Sequence, residues 1–137
     1  MKTRICLIFF LFISLFYFSF NMHIFPITLY IEDIRLERFS NDFGINLAEP
    51  IIVLEAISLE EFTELTQLPY SYYSGALIVK RNNYYVVTLP FKILHKNNIF
   101  YDTLIHEFMH YHLEKYFHFS EEEQERIISK FVKGEFS

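Results

Sequence analysis

Two histidines and a glutamate fall within five consecutive residues, His106-Glu107-Phe108-Met109-His110. Residues four apart on a helix project from the same face, so His106 and His110 can approach a single ion. Neutral imidazoles suit Zn²⁺, whose catalytic sites have three protein ligands and one open position. Glu107 would flank the ion without binding it and accept a proton from water activated there. The motif predicts a zinc peptidase with His106 and His110 as ligands and Glu107 as the general base.

The third zinc ligand is expected in the acidic segment that follows the motif. Tyr116 occupies the position where a HExxHxxGxxH pattern needs its final histidine, so the metzincin class is excluded. Glutamates follow at positions 121, 122, 123 and 125. Glu123 lies four residues before Ile127 and eight before Phe131, which places it nearest the apolar face of the last helix. Because the metal must face the buried side, Glu123 is the predicted third ligand.

Two alternatives to Glu123 stay open. Glu121 is comparable by the same face argument. His118 lies too far from His110 along one straight helix, but a sharp turn around Phe117 would bring it back. Ser120 and Glu123 also form a capping-box pattern, and acidic residues in a first turn favour the helix dipole without any metal.

Composition restricts both the partners and the chemistry. The 137-residue chain has room for one globular domain and carries a formal net charge of −5 without any cluster of basic residues. A nucleic-acid surface needs clustered Lys and Arg, so nucleic acid is not an expected partner. Cys6 is the single cysteine, which excludes an intrachain disulfide and a thiolate metal site. Any metal must therefore be bound by histidines and carboxylates.

The N-terminus resembles a membrane segment. Lys2 and Arg4 precede an apolar run over residues 5–20, and the apolar character continues to about residue 31. An uncleaved anchor needs about 20 apolar residues, which this stretch supplies. We expect 1–27 to be a single-pass anchor, with the positive-inside rule placing 28–137 outside the cytoplasm. The alternative is a signal peptide that is cleaved, leaving a secreted domain.

The rest of the chain predicts an α+β domain. Hydrophobic periodicity and turn residues indicate a helix over 27–43, a strand over 51–54, a short helix over 58–68, a hairpin formed by 76–80 and 84–89, a long helix over 99–117 and a last helix over 120–132. The expected fold is a small zincin-like domain, in which a short mixed or antiparallel sheet packs on the motif helix. Two further expectations concern single side chains. His112 should face solvent, and the tyrosines at 70, 72 and 73 should either contact substrate or cover the core.

The motif and the later segment EQERIISKFV are similar to the HExxH and E-A-N-x-F-A-x-x-L-L segments of the ImmA/IrrE-like metallopeptidases, and more broadly to small gluzincins and peptidase-MA domains. The similarity covers about 31–132, and only HEFMH is highly specific. It implies that a glutamate on the next helix completes the zinc site. It also implies that residues 74–79 form a strand lining a cleft, where a peptide or protein substrate binds in extended form. Gln124-Glu125 replace Ala-Asn in the later segment, so the clan-level resemblance is the stronger one.

Two other functions are compatible with the same residues. A membrane-tethered zinc-binding interaction module would bind the metal without hydrolysis, since a short chain leaves few residues for substrate subsites. A structural membrane protein with a fortuitous motif would bind no zinc at all. Zinc content and peptide cleavage distinguish the three functions.

Overall fold

The computed structural model describes residues 19–132. Its strands are β1 (Asn21–Pro26), β2 (Pro50–Glu55), β3 (Gly75–Lys80) and β4 (Asn83–Thr88). Its α-helices are α1 (Ile34–Phe43), α2 (Leu59–Thr66), α3 (Phe91–Lys96), α4 (Phe100–His112) and α5 (Glu121–Val132). A 3₁₀ turn follows β1 at Ile27–Leu29, and a π-helical segment, Leu113–Phe117, extends α4. The expected α+β class is confirmed.

The four strands form one mixed sheet in the order β1-β2-β4-β3. β1 is antiparallel to β2, β2 is parallel to β4, and β3 and β4 form the predicted antiparallel hairpin. Arg81 and Asn82 both have positive φ, 53° and 64°, as a two-residue hairpin turn requires. Within residues 19–132, β1 and β3 are therefore the two edge strands of the sheet. The β3 edge matters for the site because α4 packs on β3 and β4.

The motif helix is the centre of the core. Ten of the thirteen residues of α4 are buried, among them Leu104, Ile105, Phe108 and Met109 with no exposed surface. One side of α4 packs on the sheet and another packs on α5, which in turn contacts α1. A helix enclosed in this way has few alternative positions, since interiors are packed as densely as organic crystals. Side chains projecting from it are therefore rigidly placed.

The first predicted helix begins later than expected. The helix predicted over 27–43 starts at Ile34, because Asp33 caps it by accepting a hydrogen bond from the Arg35 N–H at 2.8 Å. It ends at Gly44, whose φ of +65° is the left-handed conformation expected of a helix-terminating glycine.

The end of the expected membrane segment is corrected. Asn21–Pro26 is a strand paired along its whole length with β2, so these residues belong to the sheet and the boundary at residue 27 falls inside the fold. Phe25 is buried, whereas Met22 and Ile24 on the opposite side of the strand are 55% and 64% exposed. Within residues 19–132, no helix has the length and apolar character to cross a membrane. Residues 5–18 of the expected anchor lie outside the described residues.

Candidate metal centre

The chain folds back after α4 so that α5 faces the motif. His118 has a positive φ of 56°, which ends the π-helical extension of α4. Ser120 then starts α5, and its hydroxyl accepts a hydrogen bond from the Glu123 N–H at 3.2 Å. Because α5 packs directly on α4, its first turns lie beside His106 and His110.

Three potential ligand atoms converge at this helix contact. His106 Nε2 and His110 Nε2 lie 3.2 Å apart. Glu125 Oε1 lies 2.6 Å from His110 Nε2 and 3.4 Å from His106 Nε2. In the part of the chain that the structure describes, this is the one group of three His, Cys, Asp or Glu side chains with a geometry that could hold a metal ion.

The size of the triangle fits zinc. Tetrahedral ligands bound at 2.0–2.1 Å lie about 3.3 Å from one another. Two of the three edges, at 3.2 and 3.4 Å, agree with that value, while the 2.6 Å edge is shorter. A triangle of these dimensions still has a point about 2 Å from all three atoms, roughly 1 Å out of their plane. The two imidazoles and the carboxylate therefore match the donor set of a catalytic zinc site with one position left open.

Gln124 fixes the tautomer of His110. The Gln124 amide nitrogen donates to Glu114 Oε2 at 2.6 Å and to the Phe119 carbonyl at 2.9 Å, which orients the amide. The amide oxygen then faces His110 Nδ1 at 2.9 Å, so Nδ1 must be the donor. In the neutral ring, Nε2 consequently directs its lone pair at His106 and Glu125. Lone pairs this close repel one another unless a cation or a proton lies between them. Gln124 orients His110 as the partners of metal-binding histidines typically do.

The third ligand suggested by the structure is Glu125 rather than Glu123. The buried face of α5 is formed by Gln124, Ile128 and Phe131, whereas Ile127 is only half-buried. The expectation of Glu123 rested on Ile127. The structure instead brings Glu125 close to the two histidines, because positions 123 and 125 point to different sides of the helix. Glu123 is exposed and belongs to the helix cap.

Neither alternative ligand joins the group. Glu121 lies on the neighbouring surface, but its carboxylate is not among the clustered ligand atoms. His118 is exposed at the turn before α5. Glu125 and Gln124 were both missed by the sequence reasoning. The spacing Gln124-Ile128-Phe131, a helical i, i+4, i+7 pattern, is the signal that indicates the true buried face.

Glu107 lies beside the two histidines and is largely buried. It is 6% exposed, and burial raises the pKa of its carboxyl to about 7, although the nearby His110 acts in the opposite direction. Its carboxylate has no hydrogen-bond partner among the described residues. A carboxyl group with a pKa near neutrality can both accept and return a proton, as a general base and acid must.

The start of β3 packs tightly against Glu107. A Cβ atom added at Gly75 would lie 2.9 Å from Glu107 Cγ and 3.0 Å from Thr103 Cγ2. Only a glycine permits the strand to approach α4 so closely. Ser74 reinforces this approach through a 2.8 Å hydrogen bond between its hydroxyl and that of Thr103. The edge strand and the motif helix thus hold Glu107 between them.

Two adjoining cavities open next to the cluster, with volumes of about 890 and 300 Å³. Residues from β3, α4 and α5, together with the loop before β3, line both of them: Tyr73, Gly75, His106, Glu107, Glu121 and Glu125. Burial, together with the neighbouring His110, lowers the pKa of His106, which favours the neutral form of this ring. The histidine pair therefore faces open space large enough for a peptide segment.

His112 does not face solvent as expected. It is 1% exposed, on the side of α4 away from the cluster, and burial lowers the pKa of its ring to about 4. Its nearest charged neighbour is Glu49, with 3.8 Å between Nε2 and Oε2, and neither ring nitrogen has a hydrogen bond. The loop before β2 supplies Glu49, so this burial depends on a segment far away in the sequence.

Comparisons with protein-family models, with curated proteins and with solved structures gave no significant match to this chain.

Proposed function

We propose that this chain is a zinc-dependent peptidase, with His106, His110 and Glu125 as ligands and Glu107 as the general base. The observation that supports it most strongly is the convergence of three ligand atoms beside a buried carboxylate and an open cavity. A zincin-like fold belongs to the same proposal, at the level of gluzincin or peptidase-MA domains with ImmA/IrrE-like features. The proposal includes attachment to the outer face of a membrane through the apolar N-terminus.

The residues of the site would have separate roles in hydrolysis. Zn²⁺ bound at this site would supply a Lewis acid that polarises the scissile carbonyl and increases the acidity of water. Glu107, with a pKa raised by burial, takes a proton from the attacking water and returns it to the leaving amine. Gln124 keeps His110 in the tautomer whose Nε2 can bind a metal.

The β3 edge can hold the substrate. Among residues 19–132, β3 pairs with β4 alone, so its outer edge leaves backbone N–H and C=O groups open to an added strand. Leu77 and Val79 of this strand line the smaller cavity together with His106 and Glu107. A peptide that adds to β3 in extended form would therefore run past the metal ligands and the base.

Cleavage of a degenerate peptide pool by the zinc-loaded full chain tests this function. We expect new amino termini to appear, and Glu107→Gln to reduce their rate of formation by about 10²–10⁴-fold while zinc remains bound. Glu123→Gln is the matched control, because it removes an exposed glutamate of α5 outside the cluster and should leave the rate unchanged. Cleavage by Glu107→Gln at the wild-type rate would refute the mechanism. Zinc binding without any cleavage would support the interaction-module alternative.

A further inference from the structure

We propose that the cleft selects peptides with an arginine or lysine side chain close to the scissile bond. This inference rests on the proposed function, because it names the class of substrate for the same site. It is carried by the carboxylates and tyrosine side chains that line the two cavities.

Among the lining residues that fall within 19–132, carboxylates are the main charged groups and no lysine or arginine is present. In the part of the chain that the structure describes, six acidic side chains line the two cavities: Asp102, Glu107, Glu114, Glu121, Glu122 and Glu125. Such a concentration of one charge within a concave surface attracts ligands of the opposite charge and raises their local concentration.

Most of these charges already have a partner or a role. Arg35 forms an ion pair with Asp102 at 3.0 Å, and Gln124 donates a hydrogen bond to Glu114. The proposed divalent ion would offset the charges of Glu107 and Glu125. Within 19–132, two carboxylates of the lining, those of Glu121 and Glu122, have neither such a partner nor such a role.

Glu121 and Glu122 have no hydrogen bond or ion pair among the residues from 19 to 132. Glu121 lines both cavities and Glu122 lines the larger one. Acidic residues at the start of a helix are also favoured by the helix dipole, so their presence alone indicates no ligand. What distinguishes this pair is that both line the larger cavity together with Glu107. The Glu107 side chain is buried, and its carboxylate has no hydrogen bond among the described residues.

Two tyrosine side chains also line the cavities. Tyr73 lines both cavities and Tyr72 lines the larger one, and the two side chains are 46% and 85% exposed. A tyrosine ring attracts a guanidinium or ammonium group over its face, and a nearby carboxylate adds a charged hydrogen bond. Arginine and lysine are the peptide side chains that use both features at once.

Binding of two matched peptides tests the inference. One fluorescent alanine-rich octapeptide carries a central arginine, and the other carries citrulline, which has nearly the same shape but no charge. The binding protein is the zinc-loaded full chain with Glu107→Gln, which prevents turnover, and fluorescence anisotropy at low salt gives the dissociation constants. Two exposed ion pairs and one cation–π contact should make the arginine peptide bind about tenfold more tightly.

The variants separate the inference from simpler explanations. Adding Glu121→Gln and Glu122→Gln should reduce the preference for arginine to about twofold, the part left to the tyrosines. Adding Glu123→Gln instead removes one negative charge from the same helix turn but outside both cavities, so the tenfold preference should remain. Equal affinity for the two peptides, no measurable binding of either, or an unchanged preference in the double variant would overturn the inference.

The cleavage assay distinguishes failure of the charge selection from failure of the proposed peptidase function. If the wild-type chain cleaves the degenerate pool without enrichment of Arg or Lys around the cut sites, the peptidase proposal stands and the charge selection fails. If the arginine peptide binds preferentially but no peptide is cleaved, the charged cleft stands and the peptidase proposal fails.

Discussion

Replacing Gly75 with alanine should impair catalysis without removing the metal. The added methyl carbon would lie 2.9 Å from Glu107 Cγ and 3.0 Å from Thr103 Cγ2, where ordinary contacts begin at 3.4 Å. About half an ångström must therefore be gained by moving β3 or the Glu107 side chain. Overpacking of this kind costs about 1–3 kcal/mol in the free energy of unfolding. A displacement of about 1 Å at a reacting group can lower turnover by about 10²-fold.

Gly44→Ala is the matched control for this prediction. It places a non-glycine residue at a φ of +65°, which costs about 1–2 kcal/mol, but the added carbon meets no atom within 4 Å. Both variants should lose stability in urea unfolding, and both should retain one equivalent of zinc. Only Gly75→Ala should lose peptide cleavage. Full activity in Gly75→Ala, or an equal loss of activity in Gly44→Ala, would refute the role assigned to the contact between β3 and Glu107.

Three further predictions concern single side chains. Gln124→Ala should weaken zinc binding by about 10–100-fold in a chelator competition, because His110 loses the partner that orients it. The pKa of His112 is lowered from 6.5 to about 4, so the unfolded chain takes up the proton first and stability falls as pH drops through this window. Between pH 7.5 and 5.5 the wild-type chain should lose about 1.4 kcal/mol that His112→Gln does not lose, as measured by urea unfolding with chelator present. Ser58→Ala should cost about 1 kcal/mol, because the hydroxyl that caps α2 at the Glu61 N–H is removed.

Locally encoded elements were predictable from the sequence. The hairpin of β3 and β4 follows from two apolar strands around Arg81 and Asn82, residues that the turn places in the left-handed region. The motif helix follows from apolar residues at helical spacing. β1 was not predictable, because Met22 and Ile24 are apolar although they face outward. Without alternation of polar and apolar residues, the strand merges with the apolar N-terminal run in the sequence.

The histidine pair was predictable because i and i+4 geometry is a property of any helix. The proposed third ligand depends on how α5 is placed after the π-helical segment and the left-handed His118, and sequence periodicity does not fix such a turn. One residue of a helix corresponds to a rotation of about 100°, so moving from Glu123 to Glu125 rotates the ligand by about 200°. Burial of His112 depends in the same way on the distant Glu49 loop.

Zinc affinity measured for two single variants tests the metal centre most directly. The purified full chain should bind one equivalent of zinc. Glu125→Ala, which removes the carboxylate 2.6 Å from His110 Nε2, should raise the dissociation constant by at least about 100-fold. Glu123→Ala, two residues earlier on the exposed side of α5, should leave it unchanged. Equal affinity in the two variants, or a loss confined to Glu123→Ala, would contradict the site described by His106, His110 and Glu125.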